Sequence, residues 1–244
     1  MQPHNTTVDQ FPWTSWPKVR DAVSKLWDPQ NDPHHVIIGG TGSGKSYLAV
    51  NGILKPMCAY DRVLIVDTKG DDPIVSQMGK ACRELPRNTW WRNMSHKQEA
   101  YKDWHRIVSY DDNAKAREQI GSALHHVINE GNWVIYLDEA VEVVDSRKPN
   151  LGLADIVSFG LRKGRSKNVS FINATQAPVW VPRWMIDQSS FVWIGRIRDE
   201  VRQKRLQEVG GLARQDLPYV RDLKKREWLL AADPVDMFHR TMVD

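Results

Sequence analysis

Eight residues constrain this chain more than any others. Gly39-Gly40-Thr41-Gly42-Ser43-Gly44-Lys45-Ser46 fits the pattern GxxxxGK[ST]. The run lies between the apolar Val36-Ile37-Ile38 and a helical pattern from Lys45 to Leu54, the strand–loop–helix order that a phosphate loop needs. Glycines let the backbone curl until several N–H groups point inward at one phosphate. The helix that follows adds the positive end of its dipole. In such a loop Lys45 reaches the β- and γ-phosphates and the Ser46 hydroxyl is a magnesium ligand. A merely flexible glycine loop would not need the flanking strand and helix. Residues Gly39 to Tyr47 are therefore the expected nucleotide-binding segment, with ATP and Mg2+ as cofactors.

A second acidic site strengthens the reading. Trp133-Val134-Ile135-Tyr136-Leu137 is apolar throughout and ends in Asp138-Glu139. An apolar run of this kind suits a central parallel strand covered on both faces. Asp138 at its end would hold Mg2+, and Glu139 would orient and deprotonate an attacking water. Two acids opening a surface turn are the bland alternative. A Glu beside the Asp favours hydrolysis over phosphoryl transfer to a small acceptor.

The remaining pattern alternates apolar runs with helical segments. Strands are expected at Val36–Ile38, Val63–Val66, Val169–Ala174, Phe191–Ile194 and Trp228–Ala231, with a short edge strand at Ile107–Val108. Helices are expected over Ala116–Ile128, Leu151–Leu161 and Glu200–Val209. Strands separated by helices imply βαβ units, hence an α/β fold with a mainly parallel sheet. Residues 1–33 stand apart as a Trp- and Pro-rich appendage, with Pro3, Pro12, Pro17, Pro29 and Pro33 around one amphipathic helix that carries Val19, Val23, Leu26 and Trp27. This segment is expected to pack on the main body or on a neighbouring subunit. Cys58 and Cys82 form neither a disulfide framework nor a zinc pair. Met1–Gln10 lacks a basic-then-apolar leader pattern, and no run approaches 18 apolar residues, so a membrane span is not expected. Charge is unevenly placed: residues 160–226 hold 15 Lys/Arg against 6 Asp/Glu. That points to a polyanionic partner, nucleic acid before membrane.

Two further segments complete a set. Asp67-Thr68-Lys69-Gly70 follows the second strand, and Ala174-Thr175-Gln176 ends the strand that the basic run Gly160–Lys167 leads into. With the phosphate loop and Asp138-Glu139, they make the chain resemble the FtsK–HerA superfamily of DNA-pumping ATPases from about residue 34 to 232. The resemblance implies a P-loop NTPase fold of RecA/ASCE type, three-layered, with core strand order 5-1-4-3-2. It makes Gln176 a sensor of the γ-phosphate and makes Arg162 or Arg165 an arginine finger entering the neighbouring subunit's site. Asp67 and Lys69 would contact nucleotide or the adjacent subunit, or shape the strand-end turn. Family members often carry Arg after ATQ, where this chain has Ala177.

Length narrows the choice. A motor domain over 34–244 leaves no room for a nuclease domain or a helical lid. The chain is most similar to the small genome-packaging ATPases of tailless viruses with an internal membrane. That likeness implies a homo-oligomeric ring, a hexamer or a pentamer, acting on double-stranded DNA, with capsid or portal-vertex proteins as partners. It would be virion-associated or in the host cytoplasm. The alternatives are a plasmid or host DNA pump of the same superfamily, and a P-loop kinase or nucleotide switch that does not move DNA. Candidate DNA contacts are Arg198, Arg202, Lys204, Arg205, Arg221, Lys224, Lys225 and Arg226.

Overall fold

The computed structural model describes residues 11–27, 34–57, 62–70, 72–81, 83–84, 104–108, 113–147, 149–209, 212–232 and 235–243. Met1–Gln10, Pro29, Pro33, Cys58 and Cys82 lie outside them. Helix α1 (Trp16–Leu26) precedes strand β1 (His35–Ile38) and the phosphate loop. One continuous helix follows, made of α2 (Lys45–Tyr47), a π-helical stretch over Leu48–Leu54, and α3 (Lys55–Met57). Next come β2 (Val63–Asp67), α4 (Pro73–Ala81), β3 (Arg83–Glu84), β4 (Trp104–Val108), α5 (Asn113–Glu130) and β5 (Trp133–Leu137). Then follow α6 (Ala140–Val144), α7 (Ala154–Lys167), β6 (Val169–Thr175), a 3-10 turn at Pro178–Trp180, α8 (Arg183–Asp187) and β7 (Phe191–Ile194). The described chain ends with α9 (Glu200–Val209), α10 (Leu217–Asp222), β8 (Glu227–Ala232) and β9 (Val235–Met242).

The nine strands among the described residues form one sheet in the order β3-β4-β2-β5-β6-β1-β7-β8-β9. The strands from β3 to β7 in that order run parallel, and β8 and β9 are antiparallel to their neighbours. The five core strands, counted along the chain, lie in the expected order 5-1-4-3-2, with the phosphate-loop strand beside the Ala-Thr-Gln strand. The sheet is wider than that core. The strand expected at Ile107–Val108 is longer, Trp104–Val108, and is not the edge, because β3 pairs outside it. On the other side β8 and β9 extend the sheet.

Alternation along the strands builds three layers. Val36, Ile38, Leu64, Val66, Ile135, Leu137 and Phe171 face one side, against Ile120, Leu124 and Val127 of α5 and Val157 and Leu161 of α7. Ile37, Val63, Ile65, Val134, Tyr136, Ile172, Ala174 and Trp193 face the other, against Leu48–Leu54 and α1. Both faces are therefore covered, which is why the strands read as continuous apolar runs.

Within the described residues the N-terminal helix packs on the body. Val19, Val23 and Trp27 are buried in the second of these layers. The Trp27 indole donates to Ser170 Oγ at 3.0 Å. By apolar area those three side chains contribute on the order of 5 kcal/mol, enough to keep α1 docked. Two helices differ from expectation. The helix expected over Leu151–Leu161 starts at Ala154 and continues through Lys167. It therefore carries Arg162 and Arg165 on helix, and that helix leads into β6 with only Asn168 between them. The helix after the phosphate loop widens into π geometry from Leu48.

Candidate active site

In a parallel sheet the carboxyl ends of the strands share one edge, and ligands bind there. Four loops meet at that edge, after β1, β2, β5 and β6. The loop after β1 is held at both sides: the Gly39 N–H donates to the Thr175 carbonyl (3.1 Å) and the Gly40 N–H to the Arg196 carbonyl (2.9 Å). Gly44 has φ 101° just before Lys45, a conformation open to glycine at little cost. A methyl group at Gly39 would lie 2.6 Å from Ser43 Oγ, so any side chain there would force the Ser43 hydroxyl to move. Arg226, at φ 65°, donates its N–H to the Ser43 carbonyl (2.9 Å) and lays its guanidinium 3.7 Å from the Tyr47 ring centre. The loop is thus braced from β8 as well as from β6.

Lys45 is buried, and its ammonium donates to the Gly40 carbonyl at 3.4 Å. Burial lowers its pKa, partly offset by the charge of Glu139. A bound polyanion would relieve that cost. Ser46 donates its hydroxyl to Asp72 Oδ2 at 2.7 Å and lies 3.3 Å from Asp138 Oδ1. Asp138 and Glu139, at the end of β5, are 1% and 2% exposed. The Tyr136 hydroxyl donates to Asp138 Oδ1 at 2.7 Å. Asp138 Oδ2 is buried without a hydrogen-bond partner and faces the Lys69 ammonium at 3.5 Å. Burial raises the pKa of Asp138 against the opposing charge of Lys69.

Glu139 is bound to the end of β6. The Thr175 hydroxyl donates to its Oε1 at 2.5 Å, and the Gln176 N–H to its Oε2 at 3.2 Å. Burial raises its pKa too, opposed by the Thr175 hydrogen bond and the lysines. The Gln176 side chain accepts from the Thr41 hydroxyl at 2.7 Å, joining the sensor position to the phosphate loop. Lys69 stands 3.8 Å from Glu139 Oε2. Burial works against its charged form, but Asp138 and Glu139 outweigh that and raise its pKa. A cavity of about 660 Å³ opens among these groups, lined by Thr41, Lys45, Ser46, Lys69, Asp72 and Gln176.

Hard oxygen donors on one or two carboxylates are what magnesium takes from proteins that bind it with substrate phosphates. The Ser46 hydroxyl and Asp138, whose buried Oδ2 has no hydrogen-bond partner, fit that demand.

The structure thus brings Lys45, Ser46, Asp138, Glu139 and Gln176 together. It leaves Arg162 and Arg165 elsewhere. Both are exposed on α7, whose last turns adjoin the start of β6 and His34, ahead of β1. β6 has seven residues, so about 20 Å of strand separates them from this chain's own site. Asp67 serves the strand-end turn: its Oδ1 accepts from the N–H groups of Lys69 (3.1 Å) and Gly70 (2.7 Å). Its Oδ2 accepts two bonds from the buried Arg106 guanidinium, at 3.0 and 2.6 Å. Among the basic candidates, Arg202 donates to the Gln176 carbonyl at 3.0 Å, and Arg226 is committed to Tyr47 and Ser43. Arg198, Lys204, Lys224 and Lys225 remain exposed. Sequence reasoning missed Asp72, Tyr136 and Arg106. Tyr136 is hidden in an apolar run, Arg106 precedes the recognised strand residues, and only the order Asp72-Pro73, an acid before a helix-starting proline, signals Asp72.

No family model matches the chain. It is 27% identical over 189 residues, 78% of its length and 74% of the other's, to the DNA packaging ATPase P9 of Enterobacteria phage PRD1. Its fold matches the genome packaging NTPase B204 of Sulfolobus turreted icosahedral virus 2 in complex with ATP-γS. That match has a TM-score of 0.60 and 17% identity, and covers 88% of this chain and 100% of that one. VirB4 of Thermoanaerobacter pseudethanolicus matches with a TM-score of 0.66 and 12% identity, over 86% of this chain and 89% of that one. The fold is that of the P-loop ATPases.

Proposed function

We propose that this chain is an ATPase that moves double-stranded DNA into a preformed viral capsid, acting as a homo-oligomeric ring. One observation carries the proposal: Lys45, Ser46 and Gln176 line one cavity, with Asp138 beside Ser46 and Glu139 bonded to Gln176 just behind it, in a chain whose sequence is similar to a phage DNA packaging ATPase. The motor comprises residues 34–244, and the segment 1–33 braces it through α1. Likeness to P9 favours a viral packaging role over a plasmid pump, which would use the same site.

The steps follow from the side chains. The loop Gly39–Tyr47 binds the triphosphate of ATP, with the Lys45 ammonium on its terminal phosphates. Ser46 and Asp138 hold magnesium, which when bound supplies positive charge against the phosphate oxygens. Glu139 takes the proton of the attacking water. Its raised pKa makes it a stronger base than a surface carboxylate. Gln176 reaches the γ-phosphate from the Thr41 side and is bonded to Glu139 through its own N–H, so loss of that phosphate is felt at the base. Arg165 or Arg162 enters from the neighbouring subunit; their exposure at the far end of β6 supports action in trans over action in cis. The exposed Arg198, Lys204 and Lys224 are the groups left to meet DNA phosphates, whereas Lys225 lines the nucleotide cavity. Capsid or portal-vertex proteins are the remaining partners, and the virion or the host cytoplasm is the setting.

The test is steady-state ATP hydrolysis across a protein concentration series, with and without long duplex DNA. Specific activity is expected to rise with both variables. Glu139→Gln is expected to lower turnover by 10²-fold or more while ATP binding persists. Hydrolysis that is flat in both variables, or that survives Glu139→Gln, removes the motor reading.

A further inference from the structure

Asp72 lies 26 residues beyond Ser46 and outside every motif recognised in the sequence. Its two oxygens have separate partners. Oδ1 accepts from the N–H groups of Ile74 (2.9 Å) and Val75 (3.1 Å), capping α4. Oδ2 accepts from the Ser46 hydroxyl at 2.7 Å. That hydroxyl has a single proton to give. Its other neighbour, Asp138 Oδ1, is 3.3 Å away and already accepts from Tyr136 at 2.7 Å. The proton therefore goes to Asp72, and the Ser46 lone pairs are turned away from it. Asp138 Oδ2, buried and without a hydrogen-bond partner, faces only the Lys69 ammonium at 3.5 Å among the described ion pairs and is the second acceptor of the same cluster.

We infer that Asp72 is a positioning residue for the divalent cation: it takes the Ser46 proton, so that the serine oxygen and Asp138 Oδ2 present their lone pairs to one ion. The inference rests on the reading of Ser46 and Asp138 as the magnesium ligands. Hydrogen bonds from a ligand to a fixed outer partner set the ligand's orientation and change metal affinity 10–100-fold when removed. The cap on α4 supplies the rigidity, because the carboxylate that orients Ser46 is itself pinned by two backbone donors. Ser46 is the only described hydroxyl in the loop with a carboxylate acceptor at 2.7 Å; Thr41 donates to an amide.

Two variants separate positioning from helix capping. In Asp72→Asn the amide oxygen can still cap α4, while its NH2 faces Ser46 and donates to the oxygen that should meet the ion. In Asp72→Ser the cap is kept, but the side chain is too short to reach Ser46. Binding of a fluorescent ATP analogue is measured in Mg2+ and in EDTA, alongside Mn2+ binding to the ATP complex by electron paramagnetic resonance and thermal melting. Both variants are expected to lose about tenfold of the gain in affinity that Mg2+ confers and to weaken the Mn2+ signal. Affinity in EDTA should not fall, because each variant removes a negative charge from the lining of the cavity, and melting temperature should stay near wild type. Unchanged cation dependence in both variants, or an equal loss with and without cation, overturns the inference. If wild type binds the analogue no better in Mg2+ than in EDTA, the magnesium reading itself fails and takes the inference with it. Wild-type cation dependence with normal variants sinks the inference alone.

Discussion

At the scale of single residues the site is a set of shared protons and acceptors. Glu139, the proposed base, is held by the Thr175 hydroxyl and the Gln176 N–H. Donors stabilise the ionised carboxylate, and burial opposes them and prevails, so its pKa lies above the ordinary carboxylate range. Thr175→Val removes the closest donor with little change of shape. The ionised form loses support, and the pKa rises further. A base works only when deprotonated, so the rate falls on the acid side and recovers as pH rises. The pH profile of kcat is expected to show its acid limb displaced upward. An acid limb that stays in place would separate Thr175 from the base. These partners were illegible beforehand for one reason: Thr175 meets Glu139 only because β5 and β6 are neighbours, and strand adjacency is not written in either segment alone.

At the scale of elements, α7 and the start of β1 are fitted to each other. The His34 Nε2 donates to the Leu161 carbonyl of α7 at 2.9 Å, and its Nδ1 accepts from the Phe171 N–H at 3.1 Å. A methyl at Gly164 would sit 2.5 Å from the His34 ring, so the helix lies against the strand with no space between. The ring is therefore neutral by geometry: a second proton on Nδ1 would point at another N–H. Burial lowers the pKa of His34 to about 4 and that of His35 to about 3. The unfolded chain takes up these protons near pH 6.5, so it binds more protons than the native state below that value. Stability is then full above about pH 6.5 and falls as pH drops toward 4. The loss is roughly 2 kcal/mol per histidine by pH 5. Thermal melting between pH 7 and 5 checks this, with His35→Phe expected to flatten the slope. Elements of this kind were legible where periodicity was long and clean, as in α5, or where an apolar run was unbroken, as in β5. They were not legible in α10, which is six residues with a proline, or in β9, where apolar and polar residues do not alternate by face strongly enough to be told from a loop.

At the scale of the whole molecule, the charge excess of residues 160–226 has been thinned by the fold, since Arg202 and Arg226 serve the site and Arg221 pairs with Asp222. Among the described residues, what remains exposed is fit for phosphates, not bases. Duplex binding is expected to be equal on unrelated sequences and to weaken steeply and log-linearly with salt. Lys204→Ala and Lys224→Ala should each lower the slope by about one. Titrations at several salt concentrations decide it, and a salt-independent affinity would remove these side chains from the interface. The motif set was legible because each motif is local, a few residues at fixed spacing. The wide sheet was not, because its flanks depend on chain from distant parts. That distance has a consequence for synthesis. β1 sits between β6 and β7, with Ile38 beside Thr175 and Ile194, so the phosphate-loop strand has neither neighbour until the ribosome has read on to Val169, where β6 begins. At about 5–20 residues per second the nascent strand waits several seconds at least with both edges open. A pause in translation before that point would prolong its exposure.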